Sequence, residues 1–448
     1  MREQNTTQEL AVYTSDEDNP YLAAMPELLK KDDFLLRIRS LPVLPADMSD
    51  LSGETRRKLL SGLADLFLPM DYMYMIYDLF YRAIQTTYRT KTVVDSIRQI
   101  GILRQGRQRT FATQAQSGAI LGVPGVGKTS TVRRCLAQLP QVIEHRIFQG
   151  QAFYKKQILY LCVECPSDCS IKTLAYSILA AVDRAIGSDY FQVISHQSRI
   201  SASALTTQLK IICINHAIGL IVVDEIQNAI STAEKARRIK PLVTFLLELL
   251  NDTCTGVYFV GTLEADEVFC GHDHLKRRTR GLRLLPLRPD GTYRRFLETI
   301  WQYQFTLHRI ALTDQIANKI YDHSGGIPAY IIQIFMEAQA QAIIGSEDVI
   351  DAKIVQRAIN MLCISIPKTY PAGVSLSDFS VSVVEEGQHQ EMPAIPHDSV
   401  PRMYATPRGR RPKTRDRVDL IELWKQHKQA DSICKVLLSL NIGEVLHL

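Results

Sequence analysis

Gly122-Val123-Pro124-Gly125-Val126-Gly127-Lys128-Thr129-Ser130 is the stretch that decides the fold. It fits G-x-x-x-x-G-K-[ST], in which glycines let the backbone bend until successive N–H groups face a phosphate chain. The apolar run Gly118–Leu121 before it reads as a strand, and Ser130–Leu139 after it reads as a helix. That order is what the chemistry needs, because the helix N-terminus adds its dipole to the anion site. Residues 122–130 are therefore the candidate nucleotide-binding loop. Lys128 is placed to reach the β- and γ-phosphates, and Thr129 to offer its hydroxyl to Mg²⁺.

Working outward, Leu220-Ile221-Val222-Val223-Asp224-Glu225 is a continuous apolar run that ends in two carboxylates, with Asp224 lying 96 residues beyond Lys128. Acids at the carboxyl end of a buried parallel strand stand where α/β sheets bind ligands. Asp224 is the candidate Mg²⁺ holder and Glu225 the candidate general base toward water. Ile158–Glu164 and Gly256–Gly261 are apolar runs of the same kind. Unbroken rather than alternating patterns predict central strands of a parallel sheet covered on both faces. The second of these runs leads into Thr262, a candidate catalytic hydroxyl near the γ-phosphate. The basic cluster Lys276-Arg277-Arg278-Thr279-Arg280 precedes a closing strand at Leu282–Leu287. Arg277, Arg278 and Arg280 are alternative candidates for an arginine that reaches a neighbouring subunit's nucleotide; a solvated basic face is the plain reading of the same run.

The fold class expected is α/β: a parallel sheet with helices on both faces, a small helical lid, a helical region in front and an extended tail. The division along the 448 residues is 1–53, an N-terminal partner-binding arm; 54–115, a helical pre-ATPase region; 116–290, the ATPase core; 291–365, the lid; 366–417, a basic Pro-rich linker; and 418–448, a helical partner-binding segment. The polar opening residues predict an arm that orders on a partner. Ile76, Leu79, Phe80 and Ala83, and later Leu312, Ile316 and Ile320, recur at helical spacing. A hydrophobic fraction of 46% and a charged fraction of 22% suit a chain that buries a real core and exclude collagen-like and wholly disordered classes. No apolar stretch reaches the roughly 18 residues that a spanning helix needs, and the opening residues lack an export signal's apolar region. Nine cysteines, an odd number mostly within apolar runs, fit a reducing cytoplasmic compartment. Cys162, Cys165 and Cys169 lack a fourth ligand at finger spacing, so a metal cluster is not expected.

Net charge is +5, yet residues 402–417 alone carry seven Lys/Arg against Asp416, so the remainder is close to neutral. The basic excess belongs to the tail and does not describe a chain that coats nucleic acid along its whole surface. Within it, Pro407-Arg408-Gly409-Arg410-Arg411-Pro412 resembles a minor-groove hook. Arg408, Arg410 and Arg411 either enter an A·T-rich minor groove or hold phosphates without sequence preference.

Taken in order, the phosphate loop, acidic strand end, polar end of the next strand, arginine cluster and helical lid resemble an AAA+ ATPase. More narrowly, the chain resembles the TnsC/TniB family of ATP-dependent regulators of Tn-seven-type transposons. Asn19-Pro20-Tyr21, Met25-Pro26-Glu27, Leu66-Phe67-Leu68-Pro69, Tyr88-Arg89-Thr90, Val163-Glu164-Cys165-Pro166-Ser167-Asp168 and Gly325-Gly326-Ile327-Pro328 carry that likeness. The resemblance implies a bacterial, cytoplasmic ATPase that uses ATP and Mg²⁺ and forms homo-oligomeric rings or filaments on double-stranded DNA. It further implies a bridge from a TniQ/TnsD-type targeting protein, sometimes CRISPR-guided, to TnsA/TnsB-like transposase subunits, reset by hydrolysis. Arg184, Arg199 and Lys210 lie in the region that the family turns toward DNA. Two alternatives stay open: another DNA-associated AAA+ protein, such as a helicase loader or replication initiator, and a non-hydrolysing ATP-dependent DNA scaffold. Where AAA+ lids often carry a sensor arginine, this chain has Pro328-Ala329-Tyr330.

Overall fold

The computed structural model describes residues 8–381, apart from 16, 46, 106–115, 169, 197–199, 230–232, 271–280, 346–347 and 368. The chain opens with β1 (Gln8–Leu10) and helices α1 (Pro20–Ala23), α2 (Lys31–Ile38), α3 (Gly53–Leu59), α4 (Asp71–Thr90) and α5 (Val93–Arg104). Then follow β2 (Ser117–Gly122), α6 (Lys128–Leu136), β3 (Val142–Phe148), β4 (Gln151–Ile158), β5 (Tyr160–Glu164), α7 (Ile171–Ile186), α8 (Tyr190–Ser195) and α9 (Ala202–Asn215). The core closes with β6 (Leu220–Asp224), α10 (Ala233–Thr253), β7 (Gly256–Gly261), α11 (Ala265–Cys270) and β8 (Gly281–Leu285). Four lid helices, α12 (Gly291–Trp301), α13 (Asp314–Ser324), α14 (Pro328–Ile344) and α15 (Ala352–Leu362), precede the short strand β9 (Val374–Ser375).

Six strands form one parallel sheet in the order β5-β6-β7-β2-β8-β9. Neighbouring residues of one strand feed opposite cores, as a strand's period of two requires. Ile120, Val222 and Val260 pack with α4, α6 and the lid; Leu121, Val223 and Phe259 pack with α7, α9 and α10. This double burial is why the strands read as unbroken apolar runs. The loop-bearing strand β2 and the strand β6 flank β7 in parallel, so the carboxyl ends of all three lie at the same end of the sheet.

Local chemistry sets the helix boundaries. Asp290, Thr313 and Asp351 each cap a lid helix by accepting backbone N–H groups of its first turn, and Pro328 opens α14 where no donor is needed. Gly325 ends α13 at φ +58, a conformation that glycine adopts without strain. The lid is tied to α3 by a buried bidentate pair, Arg56 Nη1 to Asp348 Oδ1 at 2.9 Å and Nη2 to Oδ2 at 2.5 Å.

A second, three-stranded sheet, β1-β3-β4, falls in what the sequence reading left between elements. β3 and β4 form a hairpin through Gln149 and Gly150, whose φ values of +48 and +78 suit the mirror-image turn that matches strand twist. Ile158 ends β4 and Tyr160 starts β5, so the run read as one strand from Ile158 to Glu164 divides at Leu159. From Gln8 the N-terminal arm lies on its own chain. β1 pairs in parallel with β3, the Tyr13 hydroxyl lies 2.9 Å from His145 Nδ1, and Asn19 Nδ2 donates to Tyr88 O at 2.6 Å. No helix among the described residues is long and apolar enough to cross a membrane.

Candidate nucleotide-binding site

The phosphate loop runs from the end of β2 to α6, whose first residue is Lys128 and whose N-cap is Gly127 at φ +91. Gly125 is also left-handed, at φ +86, so both glycines hold conformations that side-chain-bearing residues avoid. At Gly127 an added Cβ would meet nothing within 4 Å, so it is the left-handed backbone and not crowding that favours glycine there. Val123 N–H donates to Leu284 O of β8 at 3.2 Å, which anchors the loop's entry. The Thr131 N–H closes the first helical turn onto Gly127 O at 2.9 Å. Pro124 and Ser130 are exposed, Thr129 is half-buried, and Val126 is buried.

Lys128 is 9% exposed. Its ammonium donates to Gly122 O at 2.9 Å and Val123 O at 3.1 Å, carbonyls of the same loop. Burial lowers its pKa, and the charges of Glu225 and Asp224 oppose that shift.

Asp224, the last residue of β6, is buried, and its Oδ1 accepts the Glu225 N–H at 2.9 Å. Glu225 follows at φ +56, a left-handed turn rare for a non-glycine residue. Its carboxylate accepts a hydrogen bond from Gln227 Nε2, and Gln227 Oε1 accepts the Thr262 N–H at 3.0 Å. Thr262 stands just beyond β7, and its Oγ1 is buried with no hydrogen-bond partner in the described structure. This buried hydroxyl is left unpaired on a strand end that Gln227 joins to the Glu225 carboxylate, so it can take a polar partner. Gln227 carries no recognised motif signal; its only flag in the sequence is its place two residues after Glu225.

Beside the loop, a cavity of about 280 Å³ is lined by Gly125, Val126 and Gly127, by Leu68 and Tyr72 of the preceding region, and by Pro328 and Ile332 of α14. Its walls are largely apolar and aromatic, as suits a flat heterocycle. The left-handed glycines, the buried lysine and the unpaired hydroxyl fit a magnesium-bound triphosphate. Thr129 and Asp224 are the residues that would hold the cation, and Lys128 with the loop amides those that would hold the phosphates.

The remaining candidates fall elsewhere. Lys210 is buried and its Nζ pairs with Asp252 at 2.6 Å, so its charge is used inside the protein rather than presented at the surface. Arg184 is exposed on the last turn of α7. Arg199, Arg277, Arg278, Arg280, Arg408, Arg410 and Arg411 lie outside the described residues, as does the segment 418–448. Cys162 sits in β5 and Cys165 just past it, and among the described residues no cluster of His, Cys, Asp or Glu could hold a metal ion by itself.

Strand order, phosphate loop and acidic strand end together define the AAA+ P-loop fold. Consistent with this, residues 109–269 match the model of a family described as the AAA domain. No curated protein matches the chain. Among solved structures it is similar to the ORC1 protein of Aeropyrum pernix in complex with DNA, at 14% identity and a TM-score of 0.38, over 62% of this chain and 68% of that one. It is also similar to the ORC2 protein of the same organism in its ADP form, at 16% identity and a TM-score of 0.35, over 60% and 66%. Drosophila ORC bound to DNA gives 15% identity and a TM-score of 0.37, over 75% and 74%.

Proposed function

We propose that the protein hydrolyses ATP and that hydrolysis times its assembly as a homo-oligomer on double-stranded DNA. The observation that carries the hydrolytic reading is that the phosphate loop after β2 and the carboxylates Asp224 and Glu225 after β6 stand at the same end of one parallel sheet, with only β7 between the two strands. Lys128 and the amides of residues 122–130 grip the phosphates. Thr129 and Asp224 would hold Mg²⁺, which would supply Lewis-acid stabilisation of charge on the phosphate oxygens. Glu225 accepts a proton from the attacking water, and the Thr262 hydroxyl orients either that water or the γ-phosphate. Glu225 is present where a purely structural nucleotide site would not need it, and that favours hydrolysis over the scaffold reading.

On the motifs that resemble the TnsC/TniB family, the assembled form serves transposition. It bridges a TniQ/TnsD-type targeting protein to TnsA/TnsB-like transposase subunits, and hydrolysis resets it. An arginine of the segment 277–280 completes the site from a neighbouring subunit, and Arg408, Arg410 and Arg411 add salt-dependent DNA affinity. The test is electron microscopy of the purified protein with duplex DNA and a slowly hydrolysed ATP analogue, paired with capture of transposase subunits. Rings or filaments that retain transposase are expected. A chain that stays monomeric with both ligands in excess contradicts the assembly reading, and assemblies that hold a replicative helicase instead of transposase favour a loader.

A further inference from the structure

Between the acidic end of β6 and the hydroxyl beyond β7 lies one side chain that the phosphate loop does not require. The Gln227 amide gives its Nε2 hydrogen to the Glu225 carboxylate and takes the Thr262 N–H on Oε1 at 3.0 Å. Only one orientation satisfies both partners: a backbone N–H can only donate and an ionised carboxylate can only accept. Space for the amide exists because residue 261 is glycine. A Cβ there would stand 2.5 Å from Gln227 Oε1 and 2.6 Å from Ile226 Cγ2. Glu225 itself is held at the backbone on two sides, its N–H on Asp224 Oδ1 and its carbonyl accepting Asn228 N–H, both at 2.9 Å. With the backbone fixed, the remaining freedom of the carboxylate is in its own torsions, and Gln227 takes up that freedom.

We infer that Gln227 is a positioning residue for hydrolysis, tying the Glu225 carboxylate to the strand end that carries the unpartnered Thr262 hydroxyl. This rests on the reading of Glu225 as general base. Through the one amide, a shift of the Thr262 backbone is passed directly to the carboxylate, so the two groups that face the reacting phosphate move as a pair. Among the described residues Gln227 bonds only Glu225 and Thr262 and none of the phosphate loop, so its role lies in turnover and not in grip on the nucleotide.

The experiment compares wild type with Gln227→Ala and Gln227→Met in three measurements: steady-state ATP hydrolysis, affinity for a fluorescent ATP analogue, and hydrogen exchange of the Thr262 amide. The expected result is a fall in kcat on the order of 10- to 100-fold, the scale of a misplaced catalytic group. KM and analogue affinity should stay within about twofold, and Thr262 exchange should quicken while Phe259 and Val260 keep their protection. Gly261→Ala should give a similar fall, and combining it with Gln227→Ala should add nothing, which independent structural damage would not produce. Unchanged kcat in both Gln227 variants, or a loss of affinity equal to the loss of turnover, overturns the inference. A wild-type protein that binds ATP and never turns it over overturns the hydrolytic reading as well; normal wild-type turnover with indifferent Gln227 variants overturns this inference alone.

Discussion

Ala329 donates its backbone N–H to the carbonyl of Gly125 at 3.2 Å, so the first turn of lid helix α14 rests directly on the phosphate loop. The contact is tight enough to dictate residue type, since a Cβ on Gly125 would lie 2.8 Å from Ile327 Cγ2 and 3.2 Å from Ala329 Cβ. A lid that lacks a sensor arginine in Pro328-Ala329-Tyr330 is thus joined to the loop through main-chain atoms. Nucleotide-dependent movement of the loop can pass to the lid by this route.

Gly125→Ala tests that joint. The substitution forces a residue with a side chain to φ +86 and pushes the lid off the loop. Nucleotide affinity should fall by roughly tenfold or more, given a strain of about 1–3 kcal/mol at the site. Titration with a fluorescent ATP analogue reads the outcome, and undiminished affinity would show that lid and loop are not coupled here.

Lys128→Met separates stability from binding. Burial already disfavours the charged lysine, so the apolar variant should melt no lower than wild type in the absence of nucleotide. Wild type should gain melting temperature when Mg-ATP is added, by the mass-action stabilisation of a bound state, and the variant should gain none. Thermal melts with and without Mg-ATP give both answers. Assembly of the variant on DNA should be lost with it.

Arg56 and Asp348 hold α3 to the lid from within the protein, with relative exposures of 3% and 7%. Removing one partner leaves the other charge buried, which costs about 3–5 kcal/mol. Arg56→Met alone should therefore lower stability markedly, while Arg56→Met with Asp348→Leu should recover most of the loss. Denaturant titration of the three proteins checks this. Equal destabilisation by the single and double variants would mean that the pair acts through packing and not through charge.

How much of this could be read from residues alone follows from which forces are local. Strands β2, β6 and β7 were legible because burial on both faces writes itself as unbroken apolar runs such as Leu220–Val223. The loop 122–130 was legible because glycine and lysine at fixed spacing have few other uses. The hairpin β3–β4 was missed because Glu144, Arg146, Lys155 and Lys156 break the apolar pattern, and its best signal, the pair Gln149-Gly150, is weaker than Asn-Gly. Gln227 and the Arg56–Asp348 pair were missed for a different reason. Their partners are fixed by tertiary contact, over 35 residues for Gln227 with Thr262 and 292 for Arg56 with Asp348, and no periodicity announces them. Lys210 misled for the same reason, since its partner Asp252 arrives from α10.

Lys91 gives the protein a pH signature. It is buried with its ammonium on Ile218 O at 2.8 Å and Thr255 Oγ1 at 3.2 Å, and burial pushes its pKa from 10.5 down to about 8. Between those two values the unfolded chain binds more protons than the folded one, so this group makes stability rise as pH climbs from 8 toward 10.5. Below that window the contribution is constant. Relative to Lys91→Met, wild type should gain roughly a few degrees of melting temperature from pH 8 to pH 10. A difference between the two proteins that stays flat with pH would show that the lysine keeps its ordinary pKa.

The central claim is that one site, built from the 122–130 loop and the acidic end of β6, both holds and cleaves the nucleotide. Parallel measurement of Mg-ATP binding and single-turnover hydrolysis by Glu225→Gln tests it most directly. Affinity should be preserved within a few fold, and hydrolysis should fall by roughly 100-fold or more, the scale expected for loss of a general base. Hydrolysis at the wild-type rate by a variant that lacks this carboxylate would contradict the account.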